Sequence, residues 1–87
     1  MMQFEDTELD ALPLDGGLLV PRIRMTTYGL PAILIAVGDQ EYQYDRSYPI
    51  KGHSATLPKA IRQSMEEGKK PLIIERPDRF YVYYASA

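Results

Sequence analysis

The chain has 87 residues, of which 45% are hydrophobic and 25% charged, which fits one globular domain and excludes wholesale disorder. It contains no cysteine and one histidine, which excludes disulfides, thiolate catalysis, cysteine-based metal sites and a multi-histidine metal site within one chain. The longest apolar run, residues 32–37, is far shorter than the ~20 residues of a membrane span. The acidic start does not match a secretory signal. We therefore expect a cytoplasmic protein without a metal or cofactor.

Charge is distributed unevenly along the chain. Residues 1–15 carry five acids and no base, which gives −5, whereas residues 16–87 carry ten Lys and Arg against seven acids, which gives +3. Gly16-Gly17 follows the acidic segment and favours a break in regular structure. We expect residues 1–15 to form a flexible acidic arm, either solvated or folded over the basic body. Residues 16–87 are expected to form a single domain.

Three segments after the glycine pair have strand patterns. Residues 18–28 alternate in polarity, and Pro21 favours an edge position or a late start for this strand. Residues 32–37 are continuously apolar, as in a strand covered on both faces. Residues 40–48 alternate again after Gly38-Asp39, a pair that favours a tight turn. The second and third segments are therefore predicted to form a hairpin.

One amphipathic helix is predicted after the loop at residues 49–53. Ser54 or Thr56 can cap its start, and Gly68 can end it in a left-handed conformation. Residues 71–75 and 79–84 then predict a second hairpin. The element order β-β-β-α-β-β indicates an α+β domain, with a single mixed or antiparallel sheet of about five strands and the helix on one face. The other face is expected to be partly open, and hence wet, paired with another copy or bound to a partner.

The aromatic composition is unusual, with seven tyrosines and no tryptophan. Tyrosine and arginine together are typical of interface hot spots, although tyrosines are also common as ordinary strand residues. Strand alternation predicts that residues 42, 44, 46 and 48 share one face. The candidate interface residues are Tyr42, Tyr44, Arg46, Tyr48, Tyr81 and Tyr83. The main prediction is a small non-catalytic interaction or regulatory module, homodimeric, that binds a protein partner through this sheet surface.

Two alternatives belong to other functional classes. A nucleic-acid-binding regulator would stack bases on tyrosines above a cationic surface, although a body charge of +3 is low for that role. Its candidate contacts are Arg22, Arg24, Arg46 and Arg79. A small-ligand or enzymatic site would lie just before the helix, where free backbone N–H groups favour an anion and a histidine could act as a base. Its candidate residues are Lys51, His53 and Ser54.

The second half of the chain carries a partial resemblance to a known family. Residues 54–84 contain the predicted helix, then Glu-Glu-Gly-Lys-Lys, then the predicted hairpin. This stretch resembles the Phd/YefM type of antitoxin, in which a short helix ends in glycine and leads into a hairpin. The resemblance implies a small, acidic, cytoplasmic, dimeric protein that binds DNA. In that family the stretch lies near the N-terminus, whereas three predicted strands precede it here.

Overall fold

The fold consists of one helix and one mixed sheet, as described by a computed structural model for residues 2–4, 9–52 and 56–86. The elements are β1 (Met2–Phe4), β2 (Asp10–Leu14), β3 (Leu18–Arg24), β4 (Leu34–Val37), β5 (Gln40–Pro49), α1 (Thr56–Glu66), β6 (Lys69–Glu75) and β7 (Arg79–Ser86). This architecture confirms the predicted α+β class. The sheet has seven strands instead of the predicted five or so.

The strands lie in the order β1-β4-β5-β7-β6-β3-β2. The β1–β4 and β3–β6 pairs are parallel, and the other four pairs are antiparallel. Both predicted hairpins are confirmed, β4–β5 around Gly38-Asp39 and β6–β7 around residues 76–78. The predicted helix is confirmed as well, and Gly68 follows it at a φ of +86°, where a side chain would be strained.

The two additional strands come from the acidic segment that was predicted to be a flexible arm. β1 pairs with β4, and β2 pairs with β3 through the hairpin turn at Asp15–Gly17. Residues 2–4 and 10–14 therefore belong to the sheet, and the prediction of an arm outside the domain is wrong for them. The physical reason is that Leu12 is buried and Leu14 packs beside it against the core below the helix.

The predicted strand at residues 18–28 is shorter than expected and is not an edge strand. β3 ends at Arg24 and has β2 on one side and β6 on the other. Its pairing with β6 begins at Arg22, directly after Pro21, which has no N–H to donate. The next strand, β4, begins two residues later than predicted, at Leu34 instead of residue 32. Residues 25–33 form a loop between them, which we call the 25–33 loop.

The sheet must curl, because its two outermost strands are close in sequence. Only six Cα–Cα steps separate Phe4 of β1 from Asp10 of β2, a reach of at most about 21 Å. Seven strands in a flat sheet would place those edges about 29 Å apart. Phe4 of β1 and Ile23 of β3 indeed line the same open cavity of about 460 Å³, although β1 is the first strand in the sheet order and β3 the sixth.

Curling gives the sheet an outer face, which carries α1, and an inner face. The outer core is centred on Leu57 and Ile61 of the helix, which pack with Ile73 and Val82 of the sheet. The inner core contains Ile35, Leu72, Ile74 and other side chains that curling brings together. The prediction of a partly open second face is therefore wrong, since this face has a core of its own. Among the described residues, no helix is long and apolar enough to cross a membrane.

Candidate interaction surface

Four of the tyrosines predicted to form an interface pack on the inner face of the sheet. Tyr81 and Tyr83 are buried, and Tyr42 and Tyr44 lie partly buried against them. The ring centroid of Tyr44 is 6.2 Å from that of Tyr81 and 5.6 Å from that of Tyr83. The prediction of an accessible surface is therefore wrong for Tyr81 and Tyr83, whose rings fill the inside of the curled sheet.

The other two predicted interface residues lie on the opposite face. Between Tyr44 and Arg46 the register of β5 against β7 shifts, so that Tyr44 pairs with Tyr83 but Arg46 pairs with Val82. This β-bulge reverses the alternation and turns Arg46 and Tyr48 to the outer face. The prediction that residues 42, 44, 46 and 48 share one face is wrong for that reason.

The arginines predicted to contact nucleic acid are engaged with the protein itself. Arg22 binds the carboxylates of Asp10 and Glu75, and Nε of Arg24 lies 3.5 Å from the Glu75 carboxylate. Arg46 contacts a neighbour on its own strand, β5, and Arg79 of β7 contacts β5. Arg46 donates to Asp45 at 3.0 Å, and Arg79 donates to the hydroxyl of Ser47 at 2.9 Å.

The predicted small-ligand site is described only in part. Lys51 is exposed, whereas His53 and Ser54 lie outside the described residues. Within the parts of the chain that the structure describes, no group of three or more acidic or histidine side chains could hold a metal ion.

The largest exposed apolar side chains lie in and beside the 25–33 loop. Six large hydrophobic residues are exposed among the described ones, and four of them lie within residues 28–34, which we call the apolar segment. Their exposed fractions are 72% for Tyr28, 86% for Leu30, 69% for Ile33 and 43% for Leu34. Concentrated apolar exposure of this kind usually marks a contact site.

The backbone beneath the apolar segment is held by two buried side chains. Arg76 is 6% exposed, and its Nη1 lies 2.9 Å from Oγ1 of Thr27, 3.3 Å from the Thr27 carbonyl oxygen and 3.2 Å from that of Tyr28. Tyr83 is 0% exposed, and its hydroxyl donates to the carbonyl oxygen of Ala32 at 2.6 Å. Burial raises the pKa of Tyr83 well above its usual value, so its hydroxyl stays protonated and remains a donor.

The strands extend this support to both ends of the loop. The N–H of Met25 donates to the Glu75 carbonyl oxygen, and the N–H of Tyr44 donates to that of Ile33, each at 2.8 Å. The backbone of the 25–33 loop is therefore held at both ends and on either side of Leu30, while Tyr28, Leu30 and Ile33 remain exposed. A loop in this state can bind without first losing much conformational entropy.

Sequence reasoning did not identify this surface, although one signal was present. Residues 25–38 contain no charged residue, the longest such stretch in a chain with 25% charged residues. The apolar run at residues 32–37 predicts a strand covered on both faces, yet Ile33 and Leu34 are exposed. The roles of Arg76 and Tyr83 depend on contacts between residues about fifty positions apart.

Comparisons with known proteins give no relative: no family model, no curated protein and no solved structure matches this chain. The resemblance to the Phd/YefM type of antitoxin stays a prediction without further support.

Proposed function

We propose that this protein is a homodimeric interaction module, not an enzyme, and that two copies meet through the apolar segment at residues 28–34. The observation that carries the proposal is the concentration of four exposed apolar side chains within residues 28–34, three of them on a loop whose backbone is held by buried side chains. The proposed contact surface thus lies on this loop instead of the tyrosine-bearing sheet face.

A second copy is the occupant that the charge distribution favours. In a two-fold dimer the same surface lies on both subunits, so any charge on it would face its own copy. Residues 25–38 carry no charge, which removes that repulsion. A chain of 87 residues also buries a modest share of its surface alone and gains stability from association.

The expected affinity is moderate. Complete burial of a large apolar side chain contributes about 1.5–3 kcal/mol. Fixing two molecules relative to each other costs about 4–15 kcal/mol. The four side chains of each copy are already partly buried, so the gain on association is smaller than for complete burial and of the same size as this cost. We therefore expect a dissociation constant in the micromolar range or weaker.

Nucleic-acid binding is a weaker candidate for this geometry. Three of its four candidate arginines have a carboxylate partner, namely Arg22, Arg24 and Arg46. Their charges are thus partly neutralised, and phosphate would have to displace those partners.

The proposal is tested by charging the apolar segment. Leu30→Asp places two carboxylates at the two-fold contact. Because Leu30 is 86% exposed, its replacement should leave the folded structure of the monomer unchanged. We expect the dimer to weaken at least about tenfold, since one large apolar contact is lost from each copy. Sedimentation velocity over a concentration series measures the change.

Leu19→Asp is the matched control. Leu19 is also an exposed leucine, at 63%, but it lies on β3 outside the apolar segment. This variant should associate like the wild-type protein. Equal association of Leu30→Asp and the wild-type protein, or loss of the dimer only in Leu19→Asp, would contradict the proposal.

A further inference from the structure

Arg76 occupies an unusual position for a charged side chain. It lies directly after β6 and two residues after Ile74, so continued alternation directs it to the inner face, as it does Ile74. There it is buried, and no carboxylate among the described residues lies within ion-pair distance of it. Its Nε has no hydrogen-bond partner within the described part of the chain.

Oxygens of the 25–33 loop accept the hydrogen bonds of this buried guanidinium and thereby offset the cost of removing its charge from water. All three recorded acceptors of the Arg76 side chain belong to Thr27 and Tyr28. Removal of the loop from this position would leave a buried guanidinium with no recorded acceptor, which is strongly unfavourable. The loop and Arg76 hence stabilise each other's positions.

Tyr83 acts in the same way on the other side of Leu30. Its ring is buried in the inner core, and its short hydrogen bond fixes the carbonyl of Ala32. Arg76 thus holds the chain just before Gly29-Leu30-Pro31, and Tyr83 holds it just after. The exposed Leu30 lies between two anchored points.

We propose that Arg76 and Tyr83 are positioning residues for the interface: from inside the sheet they hold the 25–33 loop in the conformation that binds the second copy. The consequence for association rests on the proposed function, whereas the ordering of the loop does not. Neither side chain touches the partner. Their hydrogen bonds lower the entropy that the loop would otherwise lose on binding.

The ordering of the loop can be measured without the dimer, in the Leu30→Asp background. Backbone ¹⁵N order parameters of Tyr28 and Ile33 should be about 0.85, the value of rigid backbone. Adding Tyr83→Phe removes only the hydroxyl that donates to Ala32, and it should lower the Ile33 value toward about 0.6 or below. Adding Arg76→Lys removes the planar fork of donors and should lower the Tyr28 value likewise.

Two neighbouring side chains provide matched controls. Tyr81→Phe removes a hydroxyl on the same inner face, but the structure records no bond from it to the loop. Arg79→Lys changes the arginine that begins β7, whose side chain donates hydrogen bonds to Ser47. Both should leave the order parameters of Tyr28 and Ile33 unchanged. If Arg76→Lys does not fold, Tyr83→Phe alone decides.

In the otherwise wild-type chain, Tyr83→Phe should raise the dissociation constant of the dimer about fivefold or more, with Tyr81→Phe unchanged. Unaltered loop order in Tyr83→Phe would overturn the inference and leave the dimer proposal intact. A monomeric wild-type protein would instead overturn the proposed function. Loss of loop order without any loss of affinity would overturn the positioning role.

Discussion

Arg22 connects three strands through its side chain. It is buried, its Nε and Nη2 each donate to a carboxylate oxygen of Asp10 at 3.0 Å, and its Nη1 donates to Glu75 at 3.1 Å. These bonds tie β3 to β2 and to β6. The hydrogen bond from Arg22 lowers the pKa of the Asp10 carboxyl below its ordinary value of 3.8. In return, the bond to Asp10 raises the pKa of Arg22.

Replacement of Asp10 by asparagine should therefore have a pH-dependent effect. The pKa of Asp10 is lower in the folded state than in the unfolded state, so its charge stabilises the fold fully above pH 3.8. That contribution disappears as the pH falls through the folded-state pKa. We expect Asp10→Asn to melt below the wild-type protein at neutral pH, with the difference shrinking below pH 3.8.

Thermal unfolding between neutral and acidic pH measures this difference. Asp39→Asn is the control, because Asp39 lies exposed in the β4–β5 turn and has no recorded ion pair. It should follow the wild-type curve throughout. A deficit in Asp10→Asn that stays constant down to acidic pH would show that charge is not the cause.

At the scale of elements, the β-bulge in β5 decides which tyrosines reach which core. Tyr44 before the bulge packs in the inner core, and Tyr48 after it packs in the outer core. Asp45 is the extra residue between the Tyr44–Tyr83 and Arg46–Val82 pairs. Removing it would give a regular ladder in which both pairs keep their partners.

Deletion of Asp45 should therefore be tolerated. Its cost should be about 1 kcal/mol, equivalent to a fall of about 4–8 °C in the melting temperature of a domain this size. Deletion of Ser47 is the control, because it either turns Tyr48 inward or brings the charge of Arg46 beside the buried Tyr81. Thermal melts followed by circular dichroism compare the two variants. Similar losses in both would contradict this description of the bulge.

The sequence predicted those elements whose signals are local. The β4–β5 hairpin follows from Gly38-Asp39 between two strand patterns, and α1 follows from its apolar stripe and Gly68. β1 has three residues and pairs in parallel with β4, more than thirty positions away, so no local pattern marks it. For β2 a signal is present, since Leu12 lies between Ala11 and Pro13 and is buried while both neighbours are exposed, but the acidic composition of residues 1–15 favours a solvated arm.

The predicted tyrosine-bearing interface is wrong for a related reason. Alternation between two sets of residues runs through residues 40–48 without a visible break, because a β-bulge shifts the register of pairing and leaves no mark in the residue types around it. The burial of Tyr81 and Tyr83 depends on the curl of the whole sheet. Both features arise from long-range pairing, which a single sequence does not encode locally.

At the scale of the whole molecule, the described part of the curled sheet leaves the apolar segment exposed. Seven strands and one helix enclose two cores, and the molecule measures 30 × 29 × 21 Å. The apolar segment is the main apolar surface left exposed among the described residues. In our proposal the second copy covers it.

Sedimentation velocity of the wild-type protein over a series of micromolar protein concentrations most directly tests the claim that the protein forms a dimer. We predict that the mass rises from 9.9 kDa in dilute solution to twice that value as concentration increases. Raising the salt concentration should not dissociate the dimer, because residues 25–38 carry no charge. A mass that stays at 9.9 kDa at every concentration would contradict the claim.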